Sequence, residues 1–150
     1  MDLVKRSQST TSFKIKQSAY NRLMLILILE TSSEKSCLLL ADKDRPVAFK
    51  TLPGGPALSR TLALEVNNLL KNVKPDLIAV GVGPGSYTGI RVGAALAKAL
   101  SYGWNIPLFG FCSLKAFGPP PVLVDARRGG FYALFDSTPC LLSPADVRLR

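Results

Sequence analysis

Residues 79–96 read AVGVGPGSYTGIRVGAAL: an apolar strand ends, five glycines pass between Gly81 and Gly93, and an alanine-rich helix begins. Strand, glycine turn and helix N-terminus together make an anion site, because unpaired backbone N–H groups and the helix dipole converge there. Against a phosphate cradle stand the lack of a Walker-type lysine and the presence of Pro84, which removes one N–H donor. The other reading gives the glycines to packing. Gly93, Ala94, Ala95, Ala97 and Ala99 leave a helix surface with little bulk, and Gly89, Gly93 and Ala97 align at i, i+4 and i+8. Such helices mostly pack on their own sheet, yet the same stripe suits a tight helix–helix interface.

Upstream, Leu25–Glu30 (LILILE), Ser36–Ala41 (SCLLLA) and Pro46–Lys50 (PVAFK) read as three strands. The turns TSSEK and DKDR are short and polar, which predicts an antiparallel meander. LPGGP breaks the chain, and from Ala57 to Val73 the apolar residues Leu58, Leu62, Val66, Leu69 and Leu70 recur at helical spacing. A strand over Leu77–Val80, a helix from Thr88 to Tyr102 and a strand over Pro107–Gly110 follow, so the later strands are expected to be parallel and covered by crossover helices. Three antiparallel strands, then helix, strand, helix, strand, is the order of an α/β ribonuclease H-like domain, the unit of actin-like ATPases. Beyond it, Val122–Asp125 and Phe131–Phe135 predict a hairpin across Arg127-Arg128-Gly129-Gly130. Ser143, Pro144 and Asp146 mark a helix start. The expected organisation is a tail over 1–23, an actin-like domain over 24–118 and the start of a second domain over 119–150.

The net charge of +9 is uneven, because the first 23 residues carry Lys5, Arg6, Lys14, Lys16 and Arg22 against Asp2. That Ser/Thr-rich stretch reads as a solvated tail, and Met24, at the start of the first strand, as an alternative translation start. LMLILIL is too short for a membrane span, which needs about 20 apolar residues, and no small-residue cleavage site follows it; the expected location is the cytoplasm. Cys37, Cys112 and Cys140 lie among apolar neighbours and are expected as buried thiols. The sequence contains no histidine, which removes the Ser-His-Asp triad, the Cys-His dyad and every His-containing zinc site.

Four stretches carry a resemblance: ILETSSEKSCLLL, VGVGPGSYTGIRVGAALAKAL, IPLFGFCSLKAF and VLVDARRGGFYALF. In this order they resemble the TsaB (YeaZ) family of tRNA threonylcarbamoyladenosine synthesis proteins, over roughly Met24 to Val147, with GPGSYTGIRVG the specific part. The resemblance implies an actin-like fold and a non-catalytic subunit. Its partner would be the related TsaD transferase, joined by the ATPase TsaE, in modifying adenosine 37 of tRNA. It places the partner interface on helices 57–71 and 88–101, with Leu58, Leu62, Gly89, Ile90, Gly93 and Ala97 in the seam. Self-pairing through the same helices is expected when the partner is missing. Glu30, Thr31, Ser86, Thr88 and Arg91 would lie near an anion or nucleotide at the joint site. ATP, ADP or metal is expected only in the complex, and none on the isolated chain. The sequence departs from the family in having Ala57-Leu58-Ser59 where members commonly place a histidine, and in its short second domain.

Two other readings compete. An independent actin-like ATPase or peptidase-like enzyme would need the first turn to hold metal-bound phosphate. Here that turn has Glu30 where actin-like ATPases place Asp, no glycine, and the further charge of Glu34. A nucleic-acid-binding module would rest on the basic tail and Arg127-Arg128, with only Phe131 and Tyr132 as neighbouring aromatics.

Overall fold

The computed structural model describes residues 24–126 and 129–148. The basic segment 1–23 and the pair Arg127-Arg128, across which the hairpin is expected to turn, lie outside the described residues.

The alternating leucines of β1 (Leu25–Glu30) run through the centre of a five-stranded sheet of order β3-β2-β1-β4-β5. β2 (Lys35–Asp42) and β3 (Arg45–Pro53) build the expected antiparallel meander, each longer at both ends than its apolar stretch. Polar residues at a strand end pair through the backbone alone, so an apolar pattern underestimates strand length. β4 (Leu77–Gly81) lies parallel to β1, and β5 (Leu108–Phe111) parallel to β4.

The crossovers are α1 (Pro56–Leu70) and α2 (Tyr87–Trp104). α1 begins with a proline, whose missing N–H costs nothing in the first turn. It ends when Lys71 turns left-handed (φ 48°) and donates its N–H to the Asn67 carbonyl, three residues before the end expected from the apolar spacing. Ser86 caps α2 by accepting from the Gly89 N–H at 3.2 Å, and left-handed Asn105 (φ 51°) closes it. Both helices lie on one face of the sheet. Leu58, Leu62, Val66 and Leu70 of α1 and Ala97 of α2 meet Leu27, Leu29, Leu38, Leu40, Ile78 and Val80 there. Each fully buried aliphatic side chain of this kind contributes about 1.5–3 kcal/mol. On the other face Phe49, Leu39, Ile28, Ala79 and Phe109 stand in one cross-strand row, and its terminal aromatics are exposed.

After β5 the chain makes a 3-10 turn at Ser113–Phe117 and enters a second sheet of order β6-β7-β8. Its strands are β6 (Val122–Asp125), β7 (Phe131–Leu134) and β8 (Pro139–Leu142), and Leu114 of the turn packs with Val122 and Leu134. The 3-10 turn and β8 carry too little periodicity to be read from sequence. In α3 (Pro144–Arg148) the expected cap forms: the Ser143 hydroxyl and N–H both donate to the Asp146 carboxylate, and the Asp146 N–H donates to Ser143 Oγ. The cysteines depart from expectation. Cys37 and Cys112 are half-buried and Cys140 is exposed, since Cys140 sits on β8 at the edge of the small sheet, where little covers it.

Candidate functional site

The glycine loop between β4 and α2 is tied to its own chain. The Gly83 N–H donates to Ser113 Oγ at 3.0 Å, and the Ser86 N–H donates to the Ser32 carbonyl at 2.6 Å. The Gly89 and Ile90 N–H groups donate to Ser86 Oγ and O. These four donors are thus turned to the β1–β2 turn, the 3-10 turn and the cap. Gly85, at φ 156°, lies against the Ser32 backbone so closely that any Cβ would overlap it. Packing, the second reading of the glycines, is what the geometry supports.

Glu30 and Thr31 end β1 beside this loop and are 5% and 0% exposed. Glu30 Oε1 accepts from the Ser32 N–H at 2.7 Å. Glu30 Oε2 and Thr31 Oγ1 are buried without a hydrogen-bond partner. Oε2 lies against Gly81, where an added Cβ would collide with it and with Ser113 Oγ. Across the β1–β2 ladder sits Cys37, whose thiol is pushed up by burial and then by the Glu30 carboxylate.

A metal-bound nucleotide does not fit these donors. Among the described residues no group of three or more His, Cys, Asp or Glu side chains converges. Glu30 is a single enclosed carboxylate, and the Ser86 hydroxyl is occupied by its cap. Ser86, Thr88 and Arg91 are exposed on the first turns of α2, and the Arg91 guanidinium lies 5.2 Å from the centre of the Tyr87 ring. Ser86, Thr88 and Arg91 are thus open to solvent, whereas Glu30 and Thr31, beside the same loop, are enclosed.

The expected interface seam needs correction. Leu58, Leu62, Gly89, Gly93 and Ala97 are buried within the chain itself. A Cβ on Gly89 would strike the Thr31 carbonyl oxygen and one on Gly93 the Thr31 hydroxyl, so this stripe brings α2 onto the end of β1. Half-buried Ile90 packs toward Gly83. What the two helices leave outward is different. A groove of about 320 Å³ runs between their C-terminal halves, lined by Val66, Asn67, Leu70, Leu96, Leu100 and Trp104 among others. Leu64 and Tyr102 on the same helices are 60% and 91% exposed. Leu96, Leu100 and Trp104 recur at i, i+4 and i+8, a signal present in the sequence beside the more conspicuous glycine stripe.

Residues 58–137 match the family model of TsaD, tRNA N6-adenosine threonylcarbamoyltransferase. The chain is 37% identical over 124 residues to the tRNA threonylcarbamoyladenosine biosynthesis protein TsaB of Escherichia coli, covering 73% of this chain and 53% of that protein. It is 31% identical over 98 residues to TsaB of Haemophilus influenzae, covering 62% of this chain and 41% of that one. The fold superposes on YeaZ from Pseudomonas aeruginosa with a TM-score of 0.64 at 22% identity, over 81% of this chain and 68% of that one. The α/β arrangement is thus that of the actin-like, ribonuclease H-like fold. The chain spans 41% and 53% of the length of these two TsaB relatives.

Proposed function

The chain belongs to the TsaD-type threonylcarbamoyltransferase family, on its TsaB (YeaZ) side, and from that premise we propose that it is a non-catalytic subunit in the synthesis of threonylcarbamoyladenosine in tRNA. One observation carries this reading: the helix layer α1–α2 presents an apolar groove and exposed Leu64 and Tyr102, while the N–H groups of Gly83 and Ser86 in the glycine loop are bonded within the chain. A surface of that kind serves a protein partner. The partner is a TsaD-type catalytic subunit, which supplies the metal and transfer chemistry; a TsaE-type ATPase and tRNA join through it, in the cytoplasm.

The competing enzyme reading finds less support. A serine or cysteine nucleophile needs a base, and the sequence holds no histidine to serve as one. Among the described residues the one buried carboxylate, Glu30, faces glycine Cα and a serine hydroxyl that already accepts from Gly83.

The test is nucleoside analysis of tRNA from bacteria depleted of their own TsaB and supplied with this chain together with its TsaD-type partner. Restored threonylcarbamoyladenosine supports the subunit reading. An unchanged deficit with both proteins folded and present contradicts it.

A further inference from the structure

The five-stranded sheet is apolar on both faces, and α1 and α2 cover only one. β1 (LILILE) and the middle of β2 (CLLLA) send apolar side chains to each face in turn, where a sheet with one wet face alternates apolar with polar. The face away from the helices carries the row Phe49, Leu39, Ile28, Ala79 and Phe109, in strand order from β3 to β5. The neighbouring row holds Ala41, Ile26 and Leu77. No side chain in either row is charged. Phe49 and Phe109 are 61% and 58% exposed, and Leu39, Ile28, Ile26 and Leu77 are half-buried. A contiguous apolar patch of this kind marks a contact surface.

We propose that this face pairs with the same face of a second copy of the chain, sheet on sheet, about a two-fold axis running along β1. The rows themselves argue for that occupant. Such an axis sets β2 over β4 of the other copy and β3 over its β5, so Leu39 meets Ala79, Phe49 meets Phe109 and, in the neighbouring row, Leu77 meets Ala41. Each leucine faces an alanine, each aromatic ring faces another, and every one of these contacts occurs twice. Only the isoleucines of β1 meet themselves. The lack of charge in both rows keeps the mutual repulsion of two chains of net charge +9 away from the contact. Strands of four to nine residues, at about 3.3 Å per residue and about 4.8 Å between strands, make a face of roughly 500 Å². Two copies together bury about 1,000 Å², the size of a weak, reversible interface. The dimer therefore dissociates at the low concentrations where pairing with a TsaD-type protein is measured, and it leaves the α1–α2 layer free.

Sedimentation equilibrium of the intact chain tests this. The expected result is a monomer–dimer equilibrium with a dissociation constant between about 10 µM and about 1 mM. Phe49→Lys and Phe109→Glu, each checked for folding by circular dichroism, should each weaken it at least about tenfold, because each variant buries the same unpaired charge twice. Mixing the two variants should restore the dimer, since one lysine then meets one glutamate and the other contact is again Phe against Phe. A substitution that merely disturbed the fold would not be rescued in this way. Leu64→Glu on α1 should leave self-association unchanged. A chain that stays monomeric over the whole range overturns the proposal, and so does a mixture of the two variants that fails to associate. Self-association lost with Leu64→Glu but kept with Phe49→Lys also overturns it and assigns self-pairing to the helix layer. Capture of the TsaD-type protein by Phe49→Lys is the separate readout: it should be unaffected, and its loss would place Phe49 in that pairing surface and overturn the sheet dimer.

Discussion

The Thr31 hydroxyl lies against Gly93 so closely that a Cβ at position 93 would overlap it, and this contact seats α2 on the end of β1. Thr31 is fully buried. Gly93→Ala should therefore destabilise the fold itself, by about 1–3 kcal/mol as for other overpacked sites. Gly89→Ala should cost at least as much, because its neighbour is the Thr31 backbone carbonyl, which cannot rotate away. Pairing Gly93→Ala with Thr31→Ala should recover part of the loss. Urea unfolding of the four proteins checks this as a double-mutant cycle; strictly additive effects would show that the two residues do not meet.

Exposure separates fold from surface along α1. Leu62 is 1% exposed and Leu64 is 60% exposed, two residues apart. Leu62→Ala should cost about 2–5 kcal/mol, while Leu64→Ala should change stability by less than about 0.5 kcal/mol and weaken capture of the TsaD-type partner. Thermal melts alongside a pull-down distinguish the two. If Leu64→Ala leaves capture intact, that residue lies outside the contact.

Much of this architecture is legible in the sequence, and the illegible part has a physical reason. LILILE, the apolar spacing of α1 and the glycine-to-helix transition are local patterns, so strands, helices and their order can be read from them. The stripe Gly89, Gly93, Ala97 also reads correctly as one face of one helix. Which way that face turns is set by Thr31, far away in the chain, and periodicity carries no information about such a contact. The same limit hid the enclosure of Glu30, which depends on Gly81 and Ser113 closing over it. β8 escaped because PCLL is short, starts with proline and pairs only on one side.

The raised thiol of Cys37 gives the alkaline limb of stability a definite sign. Burial and then the Glu30 carboxylate disfavour the thiolate in the folded chain. The unfolded chain ionises first, near pH 8.5 as ordinary thiols do. This contribution is therefore fully present below that pH and is lost as pH rises through the higher folded value. Cys37→Ala should flatten the fall of the urea midpoint above about pH 8.5. Iodoacetamide should also label half-buried Cys37 more slowly than exposed Cys140. Equal labelling of the two by peptide mass spectrometry would mean that Cys37 is not enclosed as described.

A direct check on the loop is ligand-induced stabilisation. A ligand that binds only the folded chain raises its melting temperature, and the N–H groups of Gly83, Ser86, Gly89 and Ile90 already have acceptors. Millimolar ATP with magnesium should leave the melting temperature of the isolated chain unchanged. A concentration-dependent rise would restore the phosphate-cradle reading.

The pairing claim is tested most directly by co-expressing the chain with the TsaD-type protein of the same genome and measuring the mass of the purified species by light scattering. The account predicts one species with the summed mass of one copy of each protein, dissociated by a bulky charged residue at Leu64. Two separate species, each with its own mass at concentrations where both are folded, would contradict it.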